Sequence, residues 1–188
     1  MQALAVLQKA KEKDGPEPTL VICPTSVVFN WENEIQKFIP SLSCLKLSGT
    51  ERKDLFKEIP NYDIVITSYA LIRRDIAKLK KYEFRYIILD ESQNIKNPES
   101  LTAQSIKQLE AKHKLALSGT PIENKLEELW SVFDFLMPGF LLTMSEFNYR
   151  YVTPIVDRED KSVEKRLKSQ IFPFILRRMK RDVAKDLP

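Results

Sequence analysis

Glycine is scarce in this chain, with four residues in 188, at positions 15, 49, 119 and 139. None stands before Lys-Ser or Lys-Thr, so the glycine-rich loop that cradles phosphate ahead of a helix is not in the sequence. Cysteine is scarcer still. Two residues, Cys23 and Cys44, build neither a disulfide framework nor a metal cluster, and both read as small core residues in a reducing, intracellular compartment. The single histidine, His113, lies between lysines and reads as a surface position at the entry to a strand. No apolar run approaches the roughly 18 residues that cross a bilayer, which argues against a membrane protein. The stretch Met1–Lys9 has no basic lead-in or cleavage pattern and does not read as a signal peptide. A net charge of +4, from 30 basic and 26 acidic residues, is too small to indicate nucleic acid by itself. Two basic clusters stand out: Arg73-Arg74 with Lys78, Lys80 and Lys81, and Arg177-Arg178 with Lys180 and Arg181. Runs of this kind are ordinarily solvated faces.

What is present is an alternation of short apolar strands and helical patterns. Leu20–Cys23 predicts a strand. Val28, Trp31, Ile35, Phe38 and Ile39 then recur at helical spacing until Pro40. Cys44–Leu47 predicts a second strand, followed by a charged helical stretch, Thr50–Ile59. The β-branched run Asp63–Thr67 predicts a third strand, with a helix over Ser68–Leu79. Arg85–Leu89 is the fourth. Asn97-Pro98 reads as a helix start, with Asn as cap and Pro at the first helical position. Leu115–Leu117 is the fifth strand. Leu126, Leu129, Trp130, Phe133, Leu136 and Met137 mark an amphipathic helix. This pattern predicts an α/β fold with a mostly parallel sheet flanked by helices over residues 1–139. After Pro138-Gly139 the alternation fails. Residues 140–188 read as a mainly helical extension, with Val152–Asp157 ambiguous and Phe174–Leu176 a possible further strand. Trp31 and Trp130 fall on apolar helix faces and read as packing residues, and Tyr69, Tyr82 and Tyr86 take no assigned role.

One stretch is discordant. In "YIILDESQNIKN" a core strand runs directly into two adjacent carboxylates, Asp90 and Glu91. Like charges repel there, and desolvating them is costly. Either the strand ends in a solvated loop, or the acids do metal and proton chemistry. Open α/β sheets bind ligands beyond the carboxyl ends of their strands. Three further strands deliver small hydroxylated residues to the same rim: Pro24-Thr25-Ser26, Thr67-Ser68-Tyr69 and Ser118-Gly119-Thr120-Pro121. Serine and threonine are also favoured helix caps, so each alone is weak.

Taken together these segments resemble the first RecA-like lobe of SWI/SNF-type (Snf-two) ATPases of helicase superfamily two. "LVICPTSVVFNWENEIQKF" is similar to motif Ia and "DIVITSYALIRRD" to motif Ib. "YIILDESQNIKN" is similar to motif II, the DExx box, and "LALSGTPIENKLEELWSVFDFLMPG" to motif III and its helix. "FILRRMKRDV" is similar to the segment that closes the lobe. Gln93 stands where many members carry His, which leans towards bacterial relatives. A cytoplasmic, nucleoid-associated protein is then expected, or a nuclear one in a eukaryote.

The resemblance implies ATP and Mg2+ as cofactors, with Asp90 holding the metal and Glu91 orienting or deprotonating the attacking water. It implies that Gln93, Ser118, Gly119 and Thr120 couple the nucleotide site to DNA. It also implies that Pro24, Thr25, Ser26, Thr67 and Ser68 face the phosphate backbone of double-stranded DNA, which hydroxyls and backbone N–H groups bind without reading bases. In the family the Walker A loop is followed at once by a segment similar to Gln2–Leu7. The chain is therefore expected to be a lobe-one piece lacking Walker A, inactive alone and partnered in its parent by a second RecA-like lobe and a DNA-bound protein. The competing expectation is a catalytically silent α/β module that binds protein or nucleic acid.

Overall fold

The computed structural model describes residues 2–119 and 126–177. Two compact units are formed, Met1–Leu141 and Leu142–Pro188.

The first unit holds five strands among the described residues: β1 (Thr19–Cys23), β2 (Cys44–Lys46), β3 (Ile64–Ser68), β4 (Phe84–Leu89) and β5 (Ala111–Ala116). They form one sheet in the order β2-β3-β1-β4-β5, and every pairing is parallel. The helices of this unit are α1 (Gln2–Asp14), α2 (Val28–Phe38), α3 (Arg52–Leu55), α4 (Tyr69–Leu79), α5 (Leu101–Lys107) and α6 (Leu126–Leu136). β1 and β3 are buried at every position, as strands covered on both faces must be. Successive side chains of a strand point to opposite faces. Leu20 and Ile22 thus join Val65, Ile87 and Leu89 in a core with Ile72, Ile106 and Phe135. Val21 and Cys23 join Ile64, Ile66 and Ile88 on the other face, under Leu4, Leu7, Trp31 and Ile35. Each such aliphatic side chain contributes about 1.5–3 kcal/mol by leaving water.

The structure corrects several boundaries. β5 begins at Ala111, ahead of the apolar residues Leu115–Leu117, because pairing with Phe84–Leu89 sets its length and its polar residues stand at an edge. His113 is inside this strand, exposed, with its ring 4.8 Å from that of Tyr86. The helix after the acid pair is capped by Ser100, whose hydroxyl accepts from Ala103 N, while Asn97 Oδ1 accepts from Glu99 N in a local turn before it. Thr50–Ile59 is a single turn, α3, followed by a tighter helical stretch, Phe56–Asn61, which carries Pro60.

In the second unit α7 (Met144–Phe147) opens on a capping box between Thr143 and Glu146. A wide-turned helical stretch, Asn148–Asp157, contains Pro154, which has no N–H to donate. α8 (Lys161–Ile171) is capped by Asp160. Phe147, Tyr151, Leu167 and Ile171 are its buried residues, and Tyr151 Oη donates to Gln170 at 2.9 Å. Phe174–Leu176 forms no strand. Phe172–Phe174 is a short tight helix with exposed aromatic rings, and among the described residues no strand pairs with it.

Candidate functional site

Asp90 continues the sheet by one residue: its N–H donates to Ile22 O at 2.9 Å. Beyond β5, Leu117 N donates to Leu89 O at 2.7 Å and Ser92 N to Leu117 O at 2.8 Å. The acid pair is thus clamped between extensions of β1 and β5. Glu91 itself turns left-handed, at φ 53° and ψ 57°. A residue with a side chain rarely adopts that region, and such strain concentrates at functional sites. What holds it there is a set of bonds around one peptide. Glu91 N donates to Asp90 Oδ1 at 3.1 Å, and Tyr69 Oη donates to Asp90 O at 2.9 Å. Asn94 donates twice to Glu91 O, from its backbone at 3.0 Å and its side chain at 2.8 Å. The second carboxylate oxygen of Asp90 accepts from Trp31 Nε1 at 2.8 Å.

Among the described residues no cation pairs with Asp90 or Glu91. Their charge acts on their neighbours instead. The Cys23 thiol is pushed up to about 12 by burial and by Asp90. The Tyr69 phenol is raised as well, by burial first and then by Asp90, Cys23 and Glu91. Both therefore stay protonated at neutral pH. A half-buried, uncompensated pair of hard oxygen donors suits a divalent cation such as Mg2+. No group of three or more His, Cys, Asp or Glu converges among the described residues. Phosphate and water oxygens are suitable further ligands for an ion on Asp90.

Gln93 lies between the acid pair and the segment after β5. Its Nε2 donates to Glu91 Oε2 at 2.7 Å, and its Oε1 accepts from Ser118 Oγ at 3.2 Å. The amide offers a donor to the carboxylate and an acceptor to the hydroxyl at once. Gly119 follows in the chain, and Thr120 lies outside the described residues.

The hydroxyl rim divides in two. Thr25 and Ser26 are exposed and Pro24 half-buried, in a tight helical turn, Thr25–Val27, that leads into α2. The cap positions of this turn and of α2 are Pro24 and Val27, which have no polar side-chain atom, so neither Thr25 nor Ser26 occupies a cap position. Thr67 and Ser68 are buried, at 1% and 3% exposure. Thr67 Oγ1 donates to Leu47 O at 3.4 Å, and Ser68 sits at the start of α4 without a side-chain cap bond. Both side chains lie below the surface of this unit, and Thr67 bonds the segment after β2. Of the basic clusters, Arg73, Arg74, Lys78, Lys80 and Lys81 are exposed, and in the second only Arg177 is among the described residues. Trp130 is buried in α6, as expected of a packing residue.

Trp31 and Tyr69 are the residues that sequence reasoning did not place in the site. Both are buried aromatics with one polar atom, and such atoms find hydrogen-bond partners. That rule, applied to a Trp and a Tyr just past two strand ends, was the available signal.

Over residues 1–188 the chain matches the model of the SNF2-related domain. It is 44% identical over 184 residues to the TATA-binding protein-associated factor MOT1 of Saccharomyces cerevisiae, covering 91% of this chain and 10% of that protein. It is 43% identical over 195 residues to the putative ATP-dependent helicase/translocase YwqA of Bacillus subtilis, covering 100% of this chain and 21% of that protein. The solved structure of the Sulfolobus solfataricus SWI2/SNF2 ATPase core in complex with dsDNA superposes with a TM-score of 0.91 at 45% identity, covering 100% of this chain and 39% of that one. The Sulfolobus solfataricus SWI2/SNF2 ATPase core domain gives 0.85 at 44% identity, covering 100% of this chain and 38% of that one. The chain thus spans between a tenth and about two fifths of the length of these relatives. Its parallel sheet, its acid pair at a strand end and a family match along its whole length agree: the chain belongs to the SNF2-related domain family.

Proposed function

We propose that this chain works as the first RecA-like lobe of an ATP-dependent translocase on double-stranded DNA. The observation that carries the reading is the hydrogen-bonded chain Glu91–Gln93–Ser118 beside Asp90, on the same strand-end rim as the exposed hydroxyls of Thr25 and Ser26. Asp90 holds Mg2+ and Glu91 orients the attacking water. When bound, the ion neutralises charge on the nucleotide phosphates. The two carboxylates have different partners, Trp31 and the Glu91 N–H for Asp90 and Gln93 for Glu91, which suits them to different tasks. Gln93 ties Glu91 to Ser118, so a change at one end of this hydrogen-bonded chain is felt at the other. Pro24, Thr25 and Ser26 take phosphates of the DNA backbone, and Thr67 and Ser68 support the neighbouring segments from below. The phosphate cradle for ATP and the groups that complete the site belong to other parts of the parent protein, including a second lobe. A DNA-bound protein is the natural load for such a motor, a reading supported by the names of the TATA-binding protein-associated relatives.

The test is made in the full-length protein. Glu91→Gln removes turnover, by roughly 100-fold or more, and keeps nucleotide affinity, while Asp90→Asn also weakens the dependence on Mg2+. Thr25→Ala with Ser26→Ala weakens binding to duplexes of unrelated sequence alike. Near-normal turnover in Glu91→Gln overturns the assignment of the acid pair.

A further inference from the structure

The two segments that follow β1 and β3 on the rim each lead into a helix, and each helix sends one aromatic donor back to the same residue. From α2, Trp31 Nε1 donates to the Asp90 carboxylate at 2.8 Å. From α4, Tyr69 Oη donates to the Asp90 carbonyl at 2.9 Å. These two bonds have different consequences. Trp31 fixes the rotamer of the carboxylate. Tyr69 holds the carbonyl of the peptide whose N–H is taken by Asp90 Oδ1. That peptide is one of the two that flank the left-handed Glu91, the other being held by Asn94. One aromatic thus sets the first acid and the other sets the second.

The helices that carry them are stiff levers. The buried residues of α2 are Val28, Trp31 and Ile35, packed against the sheet with Cys23 and Ile66, and Trp31 supplies the only polar side-chain atom of that buried set. Val28, the first residue of α2, directly follows the exposed turn of Thr25 and Ser26. Tyr69 is the first residue of α4, next to Ser68. A displacement of either rim segment moves its donor, and hydrogen bonds of this length weaken within a few tenths of an ångström.

We propose that Trp31 and Tyr69 are positioning residues through which the segments after β1 and β3 set the geometry of Asp90 and Glu91, so that a phosphate held at Thr25 and Ser26 is felt at the metal ligand through Trp31. This rests on the reading of Asp90 as a metal ligand and of Thr25 and Ser26 as phosphate contacts. Partners of a ligating carboxylate are worth about 10–100-fold in metal affinity or activity.

The experiment uses the full-length protein with Trp31→Phe, with Tyr69→Phe, and with benzothienylalanine in place of Trp31, which keeps the shape and removes the N–H. Three quantities are read: duplex affinity without nucleotide, Mn2+ binding in the presence of nucleotide by electron paramagnetic resonance, and the ratio of DNA-stimulated to basal ATPase rate. Duplex affinity is expected to hold. Half-saturating Mn2+ rises about tenfold for both changes at Trp31. The stimulation ratio falls about tenfold at either position. A benzothienylalanine protein with wild-type Mn2+ affinity and full stimulation overturns the proposal, whatever Trp31→Phe does to folding. Thr25→Ala with Ser26→Ala separates the two readings. Unchanged duplex affinity there removes the phosphate contacts, while a weakened Mn2+ site at Trp31 still assigns its role towards Asp90.

Discussion

Replacing Asp75 by alanine strands a charge. Arg52, in α3, and Asp75, in α4, form a two-pronged ion pair, Nε to Oδ2 at 2.7 Å and Nη2 to Oδ1 at 3.2 Å. Their side chains are 9% and 8% exposed. Arg52 also donates to the carbonyl of Gly49, which sits at φ +69° in the turn after β2. The Asp75 hydrogen bonds push the Arg52 guanidinium above its ordinary value and outweigh the opposing effect of burial. Without Asp75 that support is gone, but arginine's own basicity keeps the cation charged, so it cannot escape by losing its proton. Breaking a buried pair from one side costs about 3–5 kcal/mol. The pair lies between outer helices and Arg52 keeps its bond to Gly49, which places Asp75→Ala near the lower end, about 3 kcal/mol. In a chain of this size that lowers Tm by about 6–12 °C. Urea and thermal unfolding followed by circular dichroism measure it, with Arg52→Met/Asp75→Leu alongside. The double variant is expected to recover most of the loss, because no charge is left without a partner. A single variant within about 1 kcal/mol of wild type, the value of an exposed pair, refutes the reasoning. So does a double variant as unstable as the single one.

Asp63 accepts from Lys11 at 2.9 Å and from both the N–H and the hydroxyl of Ser43 at 2.8 Å, which together outweigh burial and hold its carboxyl below the usual range. Its stabilisation is present above the ordinary carboxylate pKa and lost as pH falls through the lowered one, so Asp63→Asn should cost about 1–2 kcal/mol at pH 7 and a shrinking amount below about pH 4, read by urea unfolding across pH. Ser131 Oγ donates to Ile95 O at 2.5 Å in a buried contact between α6 and the turn after the acid pair. Ser131→Ala should cost about 1–3 kcal/mol and speed amide exchange in Ser92–Ile95. Burial raises both thiols, Cys23 and Cys44, to about 12. Neither should react appreciably with iodoacetamide at pH 8 until the protein unfolds, and stoichiometric labelling of the folded protein would contradict their placement.

Where burial on both faces wrote itself into β-branched runs, as in β1, β3 and β4, the sequence was sufficient to locate the strands. β5 hid its first half because an edge strand carries Lys112, His113 and Lys114 without an apolar pattern. The cap at Ser100 was masked by an Asn-Pro pair that looked like a better one. In the site, adjacency in sequence placed Asp90, Glu91 and Gln93 correctly beside one another. Two features needed coordinates. Thr67 and Ser68 resemble exposed contacts in a motif and are buried in the fold. Trp31 lies far from Asp90 along the chain, and nothing in local periodicity brings an indole N–H to a carboxylate across two strands.

The sheet ends, on the β5 side, in an edge that has no partner strand among the described residues. Alternate residues of this six-residue strand bond β4, and the others offer N–H and C=O groups outward to an extended segment, which makes the edge a template for self-association as well as for a proper partner. The residues at that edge include Lys112 and His113, both exposed, with Lys114 beside them. Two copies approaching edge to edge would bring Lys112 and Lys114 of each towards the other, offset only in part by Glu17, which pairs with Lys112 at 2.6 Å, and this repulsion works against such pairing. Its strength depends on ionic strength, because exposed charges are screened beyond about 8–10 Å in physiological salt. A preparation that leaves this edge uncovered is therefore expected to be clearest at low salt and to turn cloudy as salt is added.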